Sequence, residues 1–244
     1  MIESKNEKIL HFIEILVVVL MGLTALLTAW ASWVGSLHGG NQATNYTVST
    51  NLASEGNSEY NAGSQLLMQD MMLWAEISDL QLEVLYGTED DAIDMACTKL
   101  YWKMVESLPE YMATEIAWDY PDVVDDDYYT VVSDWMYNNE YATISPFYDE
   151  DYVQSYYDAA NELLAESDAV LTQGKADNSN GDAFGLVTVI FTVSLFLLGM
   201  ISTMEDIKNK YALLAISIVS IVFATIYMLT IPLPTGFSLT SFFG

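Results

Sequence analysis

The chain has 244 residues, 52% of them apolar, yet its formal net charge is −27. A single soluble globule rarely combines the two, and so acidic a surface excludes nucleic acid as a partner and repels anionic lipid. There is no arginine, which excludes bidentate guanidinium recognition of phosphate or carboxylate.

The two residue classes separate along the chain. Of the 34 acidic residues, 29 lie between His38 and Asp182, together with only Lys99, Lys103 and Lys175 of the seven lysines. A short tail, residues 1–8, carries Lys5 and Lys8 and precedes an apolar run over 9–37. That run exceeds the ~20 residues needed to cross a bilayer and is too long for the apolar core of a signal peptide. It predicts a retained first span. His11 and Glu14 stand one turn apart near its start; ionisable residues inside a span are functional candidates, and these two are close enough to the interface to snorkel.

Residues 38–182 read as an acidic helical domain. Gly39-Gly40 predicts a hinge, and the proline-free stretch from about Asn45 to Tyr86 predicts a long helix, with Leu52, Leu66, Trp74, Ile77 and Val84 on one face. Ser49, Gly56 and Gly63 recur every seven residues, a small-residue stripe that would let another helix approach closely. Met68, Met71 and Met72 share helical spacing and are expected in the core, since methionine fills cores far more often than it binds Cu(I).

Gly87 supplies a stop, and Thr88-Glu89-Asp90-Asp91 has the form of a capping box for a helix over Glu89 to Ser107. A short helix is expected from Pro109 to Trp118, ended by Pro121. The Asp/Tyr-rich stretch 123–141 is the least defined, with Val131, Val132 and Trp135 suggesting a further helix. Ser145-Pro146 caps the most regular segment, Val153, Tyr156, Tyr157, Ala160, Leu163, Leu164, Ser167, Val170 and Leu171, an amphipathic helix antiparallel to the first. Asp177 to Asp182 reads as a juxtamembrane turn. No segment alternates long enough to propose a strand.

Two further apolar runs, 183–203 and 211–231, flank the short connection 204–210, which carries Lys208 and Lys210. The positive-inside rule places that connection and residues 1–8 in the cytoplasm, and residues 38–182 and the tail 232–244 outside the cell membrane. Trp30, Trp33 and Tyr211 fall where interfacial aromatic anchors are expected. Thr188, Thr192 and Ser194 are expected to hydrogen-bond between helices.

Asp125, Asp126 and Asp127, and Asp149, Glu150 and Asp151, are the candidates for attracting cations, although a solvated acidic face needs no ligand. Asp177 to Asp182 resembles a calcium loop only superficially: with Gly181 in the sixth place the first ligand would be Ala176 and the twelfth Val187. No metal site or cofactor is predicted. Nucleophile elbows, phosphate-cradling glycine loops, metalloprotease helices and Cys-x-x-Cys pairs are absent, so no enzymatic activity is predicted. Cys97, the only cysteine, permits no internal disulfide and is expected to be buried.

WASWVG at Trp30 to Gly35, GKADNSNGDAFGLVTV at Gly174 to Val189 and the ending PLPTGFSLTSFFG resemble an uncharacterised family of three-span bacterial membrane proteins containing a domain of unknown function. The resemblance implies an N-terminal span, a helical extracytoplasmic insert and a C-terminal two-span hairpin, and no activity. The expected fold is therefore an all-α membrane protein, three transmembrane helices with an acidic extracytoplasmic stalk or bundle. The expected role is assembly, as a homo-oligomer or with a basic protein partner, in contact with membrane lipid. The other reading is an oligomeric cation channel or transport accessory with an acidic external vestibule.

Overall fold

The computed structural model describes residues 2–119 and 127–238. Every regular element among them is helical: α1 Ile2–Tyr86, α2 Asp90–Ser107, α3 Glu110–Glu115, α4 Tyr128–Asn138, α5 Glu150–Ser155, α6 Asp158–Ile201 and α7 Ile207–Thr230, with single 3₁₀ turns at Glu140–Ala142 and Pro146–Tyr148. The chain divides into two compact units, Met1–Asn51 with Glu166–Gly244, and Leu52–Ala165. Helices α1 and α6 contribute residues to both.

The first unit holds three helices long and apolar enough to cross a membrane, with apolar windows of mean hydropathy 2.4, 2.5 and 2.5 in α1, α6 and α7. Their shared core is built from Ile13, Val17, Ala31 and Val34 of α1, Phe184, Phe191 and Leu198 of α6, and Leu214, Ile221 and Met228 of α7. α1 and α6 run antiparallel, with Gly35 against Phe184 and Gly181, Tyr46 against Gly174, and Ser49 against Ser167.

Three sequence expectations are corrected here. Gly39-Gly40 is no hinge: both residues lie inside α1, where the backbone hydrogen bonds outweigh the ~1 kcal/mol that each glycine costs a helix. The Asp177–Asp182 turn is likewise helical, within α6. Gly174, just before it, serves close approach: a Cβ there would lie 2.7 Å from the Tyr46 ring. Thr188, Thr192 and Ser194 do not bond between helices; each hydroxyl donates to the carbonyl four residues back in α6, from Phe184, Thr188 and Ile190.

The second unit packs α2, α3 and α4 with part of α1 around Trp74, Ile77, Cys97, Leu100, Met104, Met112, Ile116 and Val132. Glu89, not Thr88, is the N-cap of α2 and offers no side-chain cap bond, so the capping box does not form. α3 closes through Ala117 in the left-handed region (φ 49°), which turns Trp118 back to donate its N–H to the Ala113 carbonyl. The Ser145 hydroxyl accepts from the Phe147 N–H and Pro146 opens its turn, but the segment is not one helix: it breaks at Tyr156-Tyr157, between α5 and α6. At the break the Tyr156 carbonyl lies directly over Gly63, and the ring of Tyr157 stacks on Tyr60 with centroids 4.7 Å apart.

Candidate functional site

The three clustered methionines of α1 are not core. Met68, Met71 and Met72 are 64, 50 and 68% exposed. The sequence pattern missed this because helical spacing alone does not say which face is covered. With Ala75, Leu82 at 53% and Tyr86 at 75% exposure they recur at three- and four-residue spacings, apart from the adjacent pair Met71-Met72 and one step of seven that spans Asp79. Such steps place them on a single face of the helix. Thioether side chains are flexible and polarizable, which suits a surface that adapts to an apolar partner.

A groove of about 310 Å³ adjoins this face and shares Leu82 with it; Trp74, Ser78 and Gln81 form one wall, and Ile144 and Tyr148 belong to the other. Gln81, itself buried, holds that second wall by donating to the Tyr141 carbonyl at 3.1 Å. Acids border the face: Asp79 within it, Glu83, and Glu76, which pairs with Lys103.

Asp70, only 4% exposed, belongs to the same unit. Its Oδ2 accepts from the phenols of Tyr111 and Tyr156, the latter at 2.7 Å, and Tyr152 donates in turn to the Tyr156 oxygen at 2.9 Å. Burial, and then the bond to the carboxylate, push Tyr111 well above the ordinary phenol range; Tyr156 rises for the same reasons and through its bond with Tyr152. Burial carries Tyr152 up to about 12. Tyr141 also reaches about 12, through burial and then its 2.8 Å bond to Glu115. This network satisfies a buried carboxylate with neutral donors.

The sequence-derived candidates fall in separate roles. Asp127 caps α4, its carboxylate accepting from the Thr130 N–H, and Asp149 caps α5 by accepting from Asp151 and Tyr152. Glu150 and Asp151 are exposed in the first turn of α5, where acids favour the helix dipole. Asp125 and Asp126 lie outside the described residues. His11 is exposed, and Glu14 borders a groove in the first unit. Ser49 bonds Ser167, Gly56 faces Leu164 and Ala160, and Gly63 faces Tyr156. No group of three or more potential metal ligands comes together among the described residues.

Sequence reading missed a buried polar centre in the first unit. His38 and Asp177 are each 1% exposed, with Nδ1 2.8 Å from Oδ1. His38 Nε2 donates to the Pro232 carbonyl at 3.0 Å, and Asp177 Oδ2 accepts from Asn45 at 3.1 Å and Gln173 at 3.3 Å. Since Nε2 must carry a hydrogen to meet a carbonyl, a second proton lies between Nδ1 and the carboxylate. Phe184 stacks on the imidazole, and the segment after α7 is held further by Asn41 on Thr235 and by Phe237 against Trp30 and Trp33. The available signal was polar residues flanked by glycines on both sides, His38 by Gly35, Gly39 and Gly40, Asp177 by Gly174 and Gly181.

No protein-family model, curated protein or solved structure matches the chain.

Proposed function

We propose that this is a non-catalytic membrane-anchored assembly protein whose acidic helical unit binds a basic amphipathic helix of a partner protein. The observation carrying this reading is the exposed Met68-to-Tyr86 face with its adjoining groove. An adaptable apolar face bordered by acids is complementary to a helix with an apolar stripe and lysine or arginine flanks. The lysine distribution favours the orientation in which this unit lies outside the cell membrane.

Two features favour a basic partner over a second copy of the chain. Two units of this charge repel each other. The small-residue stripe, the other surface suited to self-association, is occupied within the chain: Gly56 by Leu164 and Gly63 by Tyr156.

The test uses the full-length chain in nanodiscs with a synthetic leucine–lysine amphipathic helix and its leucine–glutamate counterpart. The lysine peptide should bind and the glutamate peptide should not. Met72→Asp with Leu82→Asp should weaken binding at least about tenfold, the loss of roughly one buried apolar anchor. Equal binding by the double variant would reduce the interaction to bulk charge and overturn the proposal. Self-association of the wild-type chain abolished by the same variant would replace the basic partner with a second copy.

A further inference from the structure

A second groove lies in the first unit, at the end of the spans that carries Lys208 and Lys210. It encloses about 470 Å³ between α1, α6 and α7, within the range of small-molecule sites. Val17 and Met21 of α1 and Leu198 of α6 form its apolar wall, Gly199 opens its floor, and Glu14 and Lys210 border it. A Cβ on Gly199 would meet nothing within 4 Å. The glycine is therefore not needed for helix contact, and its effect is to leave the groove deep.

Glu14 and Lys210 carry opposite charges on one groove, yet they form no ion pair with each other. Glu14 lies early in the first span, and Lys210 lies in the first turn of α7. An apolar cleft that faces lipid and ends in one cation and one anion matches an amphiphile whose head carries both charges. We propose that this groove binds a phospholipid with a phosphate and a primary ammonium in its headgroup, the acyl chain lying along Val17, Met21 and Leu198. Lys210 meets the phosphate, and Glu14 accepts a hydrogen bond from the ammonium. A quaternary ammonium has no hydrogen to donate, and a phosphoglycerol headgroup has no cation to set against Glu14; this separates the ligand from phosphocholine and phosphoglycerol lipids.

The experiment is native mass spectrometry of the full chain from detergent, titrated with phospholipids of equal chain length bearing phosphoethanolamine, phosphocholine or phosphoglycerol headgroups. Phosphoethanolamine lipid should give the highest occupancy. Glu14→Gln should weaken phosphoethanolamine binding more than phosphocholine binding and so erase its advantage. Lys210→Gln should weaken all three by about tenfold, the scale of one charge-assisted hydrogen bond. Gly199→Phe should abolish retention by filling the cleft, with Gly199→Leu as a milder variant and helix content by circular dichroism as the folding control. Equal occupancy by all headgroups, or full retention in a folded Gly199→Phe chain, would overturn the proposal. So would competition by soluble phosphoethanolamine as strong as by the lipid, which would make the apolar wall irrelevant. A changed number of subunits per complex in Gly199→Phe, with lipid binding intact, would assign the cleft to a neighbouring span instead.

Discussion

The phenols around Asp70 set how the acidic unit answers to alkali. Tyr111, Tyr141, Tyr152 and Tyr156 all lie above the ordinary phenol value near 10 in the folded chain. The folded state then holds these protons more tightly than the unfolded one. Their contribution is fully present below about pH 10 and is lost as pH rises through about 12, where Tyr141 and Tyr152 ionise. Titration followed by phenolate absorbance should therefore show a late group of tyrosines whose ionisation coincides with loss of helix. Tyr111→Phe removes one donor from a buried carboxylate and should lower stability by about 1–3 kcal/mol, read from chemical denaturation. A variant as stable as wild type would show that Asp70 does not depend on that phenol.

Between helices, glycine and buried charge do different work. At Gly56 an added Cβ meets the Leu164 side chain at 2.9 Å, which can rotate aside, whereas at Gly63 it meets the backbone carbonyl of Tyr156, which cannot. Gly63→Ala should cost about 1–3 kcal/mol and clearly more than Gly56→Ala, measured as paired thermal melts. His38→Ala strands the Asp177 carboxylate without its closest partner; breaking such a pair costs about 3–5 kcal/mol. Asp177→Asn, which keeps the shape, should cost less by the same assay. The seven-residue recurrence of Ser49, Gly56 and Gly63 was legible because small residues at that period have one use, close approach. Which helix approaches was not legible, since the contacts to Leu164 and Tyr156 are about a hundred residues away in sequence. The spans were readable from hydropathy alone. The helical course through Gly39-Gly40 and Asp177–Asp182 was not, because local propensity there favours a break and tertiary contacts to α6 and α1 override it. The exposed methionine face was invisible for a related reason: an apolar stripe reports periodicity, and burial depends on what else the chain brings to it.

Across the molecule, charge and hydropathy are distributed to opposite purposes. The chain carries 34 acids against seven lysines, and 29 of those acids lie in residues 38–182. Self-repulsion of that density works against compactness, and salt shortens its reach to about 10 Å at 0.1 M. Raising ionic strength from a few millimolar to physiological should raise the unfolding midpoint of the acidic unit, while an uncharged osmolyte at equal osmolarity should not reproduce the salt-specific part. A midpoint indifferent to salt would mean that the acids are already neutralised by bound cations. The second unit also contains its own reporter. Cys97, the only thiol, is wholly buried in that core, and burial raises its pKa, suppressing the reactive thiolate. Any alkylation by a membrane-impermeant maleimide must wait for the core to open. Its rate in detergent solution therefore times the breathing of the unit without an introduced label, and a bound partner that clamps the methionine face should slow that clock.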